Sequence, residues 1–278
     1  MKEKDRQRLE ALTAKLQNFI NHPWVMRCDA FHVVGDVYFV GNQYVSSYLL
    51  DTKEGLILID CAFLESAYLL FDGIRSLGFN PRDIKKLFLT HGHFDHCGAA
   101  RIIQEHSRCE IWLGKEDHFF FTERPELIIF EDHVPRFSID RAYEYDKRME
   151  FGTLNIRPIH TPGHTPGTTT FFIETVHQGK LVTCALHGGL GINGLSTDEL
   201  KENRLPLSLQ QDFLHSLEYL KTQHVDVILP SHAHQYDIFS RAARDDGSGE
   251  VFLDRDGAWN AIMDKHIELI RELMAPED

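Results

Sequence analysis

Apolar residues recur along this chain in two rhythms, and the switches between them divide it into elements. Leu9, Leu12, Leu16 and Phe19 fall at helical spacing with charged and amide side chains between them, which predicts an amphipathic helix that needs a surface to dock on. Pro23-Trp24 closes it. Short apolar runs follow at 37–40, 45–50 and 56–59, separated by Gly41-Asn42 and Lys53-Glu54-Gly55; turn residues between runs of this length predict an antiparallel meander. From Asp60 the period lengthens, and Leu64, Ala67, Tyr68, Phe71, Ile74 and Leu77 mark a helix that Gly78 ends. A strand approaching 89, a helix at 98–106 and a strand at 110–113 then give a βαβ rhythm.

The stretch 115–148 is less regular and rich in aromatics: Phe119, Phe120, Phe121, Phe130, Phe137, Tyr143 and Tyr145. Packing is the first reading of such a stretch, with a wall or lid over a site, or a dimer face, as alternatives. Strands are expected again at 154–159, 168–173 and 181–186, a helix at 208–221, and a buried strand at 225–229. The polar tract 244–249 reads as a loop before a final helix at 258–273. The expected organisation is therefore an N-terminal helix, residues 1–24, packed on its own domain or on a second copy of the chain in a homodimer, and one domain from 25 to 278.

Chemistry gathers where the apolar runs stop. The run at 56–59 ends in Asp60, that at 87–89 in Thr90-His91-Gly92-His93-Phe94-Asp95-His96, that at 156–159 in His160 and His164, that at 182–186 in His187, and that at 225–229 in Ser231-His232. Ligands of layered α/β proteins collect at the carboxyl ends of strands, so this repetition predicts one site. Three imidazoles and a carboxylate within six residues form a donor set suited to zinc, manganese or iron. His187, followed by Gly188-Gly189, is read as an extra ligand, a substrate contact or a surface histidine. Asn193, Ser196 and Tyr236 are candidates for orienting a substrate. His234 competes with His232 as a ligand, and His160 is read as packed or supporting. Asp60 is the expected carboxylate behind a metal-bound imidazole.

Composition narrows the partners. In 278 residues, 42% are hydrophobic and 26% charged, enough apolar material for a substantial core. A net charge of −13 disfavours nucleic acid, whose binding relies on Lys and Arg neutralising phosphates; a small-molecule substrate is expected instead. Five cysteines without CxxC spacing fit a reducing compartment better than a disulfide framework. No run is long enough to span a bilayer, and the first twenty residues lack the pattern of a secretory signal. The expected location is the cytoplasm.

Over roughly residues 33–237 the chain resembles the metallo-β-lactamase superfamily: HxHxDH is matched by His91, His93, Asp95 and His96, and later motifs by residues 161–167 and by Pro230-Ser231-His232. The resemblance implies an α+β fold, the αββα sandwich, in which two mixed β-sheets lie face to face with helices on both outer faces. It implies a dinuclear site at one edge, His91, His93 and His164 holding the first metal and Asp95, His96 and His232 the second, with two Zn2+ the expected ions and Fe or Mn the alternatives. Many members of the family have a bridging aspartate where this chain reads Thr183-Cys184-Ala185-Leu186-His187-Gly188-Gly189. Asp198 and Asp226 lie in other contexts. In this the chain is similar to the β-lactamases that hold one zinc with three histidines and the other with an Asp-His-His set, also in His232-Ala233 and Asp237. The activity implied is hydrolysis by a metal-bound hydroxide attacking a carbonyl-type bond in a lactam or amide, a thioester or a lactone, with Asp95 as the catalytic carboxylate. The alternatives are an iron-containing oxidoreductase of the same superfamily and a non-catalytic metal-binding protein.

Overall fold

The computed structural model describes residues 3–275. Helix α1 (Glu3–Asn21) leads into a sheet ordered β1 (Phe31–Val34), β2 (Val37–Phe39), β3 (Tyr48–Asp51), β4 (Leu56–Ile59), β5 (Ile84–Phe88), β6 (Glu110–Trp112). Its first four strands pair antiparallel and its last three parallel. Helices α2 (Ala67–Ser76), α3 (Phe94–Cys97), α4 (Ala100–Ser107) and α5 (Phe119–Thr122) fall within and after this half. The second sheet runs β11 (Val227–Leu229), β10 (Lys180–Leu186), β9 (Thr169–His177), β8 (Leu154–His160), β7 (Met149–Phe151). It is antiparallel except for the β10–β11 pair. Helices α6 (Thr197–Glu202), α7 (Ser208–Lys221), α8 (Ile238–Arg244) and α9 (Ala258–Met274) complete the described chain.

Two faces of each sheet are covered, and the sequence shows why. All four residues of β4 are apolar and buried, as a strand packed on both sides requires. Ile57 and Phe88 of the first sheet meet Ile156, Phe171 and Leu229 of the second in the central layer; the Phe88 and Phe171 rings stack at 5.8 Å. The opposite face of the first sheet packs Leu49, Leu58 and Leu87 against Ala67, Leu70 and Ile74 of α2 and Ile103 of α4. Phe172, Ala185 and Ile228 of the second sheet pack against Phe213 and Leu217 of α7 and Trp259 and Met263 of α9. Each fully buried side chain of this size contributes about 1.5–3 kcal/mol. The result is the αββα sandwich.

Several elements differ from the sequence reading, and the surface under α1, left open there, is partly defined. The apolar run 45–50 is not one strand: Ser46 donates its N–H to the Ser231 carbonyl at 2.9 Å and Val45 forms a bridge with His232, so regular pairing begins only at Tyr48. Strands β1 and β7 and helix α8 have no counterpart in the sequence reading. Helix α1 docks within the described chain through Leu16 and Ile20, which are buried with Met26, Val45, Phe63 and Phe94.

Candidate metal centre

The ends of β4, β5, β8, β10 and β11 open onto one edge of the sandwich. After β4, Asp60 adopts φ 56°, a left-handed conformation that side chains other than glycine enter at a cost. That turn aims its carboxylate inward: Oδ1 accepts the Thr90 N–H at 2.8 Å, and Oδ2 accepts the Thr90 hydroxyl at 2.8 Å and His96 Nδ1–H at 2.7 Å. The loop after β5 therefore leaves its strand already tied to the neighbouring one. Tyr143 reinforces the same edge, its hydroxyl lying 3.0 Å from the Leu89 carbonyl and 2.8 Å from that of Trp112.

Six donors assemble there as two triplets, His91, His93, His164 and Asp95, His96, His232, whose ligand atoms lie within 4.8 Å of one another in each set. The His91, His93 and His164 rings sit 4.6–4.8 Å apart, mutually edge-on. In the second triplet the Nε2 atoms of His96 and His232 face each other at 3.3 Å, with Asp95 Oδ2 at 3.9 and 3.6 Å from them. The ring centres of His91 and His96, one from each triplet, are 4.2 Å apart.

Hydrogen bonds on the far sides of the rings fix which nitrogen is bare. His164 Nδ1–H donates to the Gly191 carbonyl at 2.8 Å, His232 Nδ1–H to the Tyr44 carbonyl at 3.1 Å, and His96 Nδ1–H to Asp60. Because the Thr90 hydroxyl is spent on Asp60, His91 Nδ1–H donates to Thr90 Oγ1 at 2.9 Å. Each Nε2 is then left with a lone pair directed into the site. His91 Nε2 is buried with no partner, as expected of an atom awaiting a cation rather than a hydrogen bond. Burial holds His91, His93 and His232 well below the ordinary imidazole range and takes His164 down to about 4. Burial opposes protonation of His96 too, but Asp60 and Asp95 beside it hold its imidazole above the ordinary range. Burial also raises the Asp95 carboxyl. Four neutral imidazoles, a fifth in His96 that an incoming cation would deprotonate, and one carboxylate at these separations fit a pair of divalent cations.

One carboxylate in this machinery was not singled out from sequence. Asp117, fully buried, accepts the Gly92 N–H at 2.9 Å and the Thr165 hydroxyl at 2.8 Å on Oδ2, and the Gly167 N–H at 2.6 Å on Oδ1. It thereby joins the loop of His91 and His93 to the loop of His164. Burial pushes its pKa up to about 6, against the pull of these three donors. The signal was present: 111–113 is a sixth apolar run, and Asp117 follows it.

The remaining candidates separate by position. Asn193 lines the cleft beside the triplets, whereas Tyr236 and His187 are absent from its lining. Tyr236 packs with the outer helices, its ring 4.7 Å from the Arg241 guanidinium. His187 is buried, its Nδ1 3.5 Å from Ser231 Oγ and its ring 6.3 Å from Trp259; it belongs to neither triplet. Burial lowers its pKa to about 3. His234 stacks on Tyr44 at the rim while His232 faces the donors. His160 supports the His164 loop by donating to the Pro166 carbonyl at 2.8 Å, and Ser196 caps α6 in a capping box with Glu199.

Comparison with known proteins agrees with this architecture. The family model of the metallo-beta-lactamase superfamily matches residues 40–176. The chain is 33% identical over 156 residues to the hydroxyacylglutathione hydrolase GloC of Haemophilus influenzae, covering 54% of this chain and 70% of that protein. It is 28% identical over 196 residues to an N-acyl homoserine lactonase of Bacillus thuringiensis, covering 60% and 70% respectively. Among solved structures, the native metallo-beta-lactamase FEZ-1 of Legionella gormanii superposes with a TM-score of 0.79 at 23% identity, covering 89% of this chain and 95% of that one. A class B3 di-zinc metallo-beta-lactamase from an Alaskan soil metagenome gives 0.78 at 24% identity, covering 91% and 96%.

Proposed function

The chain belongs to the metallo-beta-lactamase superfamily, and from that premise we propose that this metal-dependent hydrolase cleaves a carbonyl-type bond in a small molecule, using two zinc ions held by His91, His93, His164 and by Asp95, His96, His232. The observation that carries the reading is the pair of donor triplets at one edge, with an unpartnered buried Nε2 on His91. The relatives named above are hydrolases by name, and one structural relative is described as di-zinc; this favours hydrolysis over the oxidoreductase alternative and zinc over iron or manganese. The unpaired cysteines support a reducing, cytoplasmic setting, and no described helix is long and apolar enough to cross a membrane. The packing of α1 against residues of the main body supports treating it as part of one catalytic unit.

Bound at these donors, the cations supply Lewis acidity, acidifying water and polarising the scissile carbonyl. The residues do the rest. Asp60 orients His96 and, through Thr90, also His91, so one buried carboxylate governs a ligand in each triplet. Asp95 holds Oδ2 3.9 and 3.6 Å from the Nε2 atoms of His96 and His232, where a carboxylate not fully taken up by a cation would accept the proton released as water attacks. The cleft beside the triplets is lined by mixed apolar and polar side chains, with Asn193 available for the substrate's polar substituents.

The test is a panel of lactam, lactone and thioester substrates offered to the metal-loaded enzyme and to Asp95→Asn. Wild type hydrolyses at least one class, and the variant loses roughly 10²-fold or more in kcat/KM while remaining folded by circular dichroism. Full activity in Asp95→Asn, with its metal content verified, would contradict the assigned role.

A further inference from the structure

Helix α1 does more than cover a patch of the sandwich. Leu9, Leu12, Thr13, Lys15 and Leu16 form one wall of the cleft over the metal centre, a space of about 740 Å³. Apolar side chains, among them Leu127, Ile129, Leu205 and Leu209, line the same cleft. The wall is fixed because Leu16 and Ile20 are buried with Val45, Phe63 and Phe94 and Phe19 packs on Tyr44 and Phe63 at 5.0 and 6.4 Å.

Lys15 is the one lysine or arginine among the described residues lining this cleft; the other charged side chains there are the carboxylates of Asp95, Glu126, Glu199 and Glu202. Glu199 is engaged with Ser196 and Glu126 with Arg124. No described carboxylate pairs with Lys15. Its ammonium instead rests over the Tyr44 ring at 4.8 Å and 5.7 Å from the Phe19 ring centre, contacts that favour a cation but leave its hydrogen-bonding protons free. Tyr44 in turn meets the His232 ring at 5.0 Å. A positive charge is thus held two ring contacts from a metal-ligand candidate, at the rim of an apolar cleft in a chain of net charge −13.

We propose that Lys15 is a specificity-determining residue that pairs with a carboxylate on the substrate, so that the enzyme selects small monoanionic acyl compounds over neutral ones. The apolar body of such a substrate lies against the lining side chains Leu12, Leu127 and Ile129, with its scissile carbonyl at the metal centre and its carboxylate at Lys15. Lys15 is exposed, so its pair with a carboxylate is one between solvent-exposed charges, which sets the selectivity at up to about fivefold. This rests on the hydrolase reading above, since it names which substrates that site takes.

Two measurements separate the subsite from the reaction. The first compares 4-nitrophenyl hydrogen suberate with its methyl ester, a diacid long enough to span the two ring contacts. Wild type prefers the acid by up to about fivefold in kcat/KM, chiefly through KM, and the preference shrinks as ionic strength rises. Lys15→Gln abolishes the preference, Lys15→Arg retains it, and Lys180→Gln, at the far end of β10, leaves it as in wild type. The second is calorimetric binding of suberamic acid against suberamide to the metal-loaded protein, which reads Lys15 even without turnover. Lys15-dependent binding with no hydrolysis of either ester would uphold the subsite and remove the reaction from under it. Equal hydrolysis of acid and methyl ester, or a preference that survives Lys15→Gln, would overturn the subsite and leave the reaction standing.

Discussion

Asp117 and Asp60 play parallel parts, and only one of them announced itself. Asp60 stands directly after an apolar run, where a carboxylate behind a metal-bound imidazole is expected, and its bond to His96 follows from that position. Asp117 is separated from its run by Gly114-Lys115-Glu116, and its partners Gly92, Thr165 and Gly167 come from two loops distant in sequence. Its place a few residues beyond a sixth apolar run is a fainter mark than that of Asp60, and its partners are not marked at all. Replacing it tests its part: Asp117→Ala leaves the Gly92 and Gly167 N–H groups buried without acceptors, at about 1–3 kcal/mol each, and frees the His91–His93 loop from the His164 loop. Zinc affinity, measured by competition with a chromogenic chelator, falls by about 10–100-fold. Unchanged affinity in a folded variant would show that the loops hold their geometry without this carboxylate.

At the scale of elements, long periodic segments were legible and short or tertiary-determined ones were not. Helix α7 occupies the residues its pattern predicts, whereas Ser196, a candidate for orienting a substrate, is instead the N-cap of α6 in a capping box with Glu199. Strand β1 has four residues and α8 seven, too few for a period to stand out. The break at Ser46 is set by a bond to Ser231 far along the chain, which no local pattern contains. The β8–β9 connection shows how an element positions chemistry. Gly163 sits at φ 143°, and a Cβ there would lie 2.3 Å from Phe213 Cβ on α7, so the turn that presents His164 requires glycine twice over, for conformation and for space. Gly163→Ala costs about 2 kcal/mol or more, read as a lower urea midpoint, and displaces His164 enough to weaken the first triplet. A midpoint equal to wild type would mean that α7 gives way freely at Phe213.

Across the whole molecule, the two-sheet core and its outer helices leave one edge open, and the strand ends there carry every metal-ligand candidate the sequence displayed. What the sequence left unsaid was the fourth side of that edge. Leu9, Leu12 and Leu16 revealed an amphipathic helix but not its partner; the structure lays it beside the cleft, with Lys15 over Tyr44. An anionic chain with a single cation in its cleft lining, among the described residues, selects by charge where its apolar walls select by shape. The central claim remains the coupling of hydrolysis to a two-cation site, and titration of zinc into the metal-stripped enzyme, following bound metal and hydrolysis together, tests it most directly. The account predicts that two equivalents bind and that activity rises with their binding. Full activity in metal-free protein, or a folded enzyme that binds two equivalents and hydrolyses no lactam, lactone, thioester or ester, would contradict it.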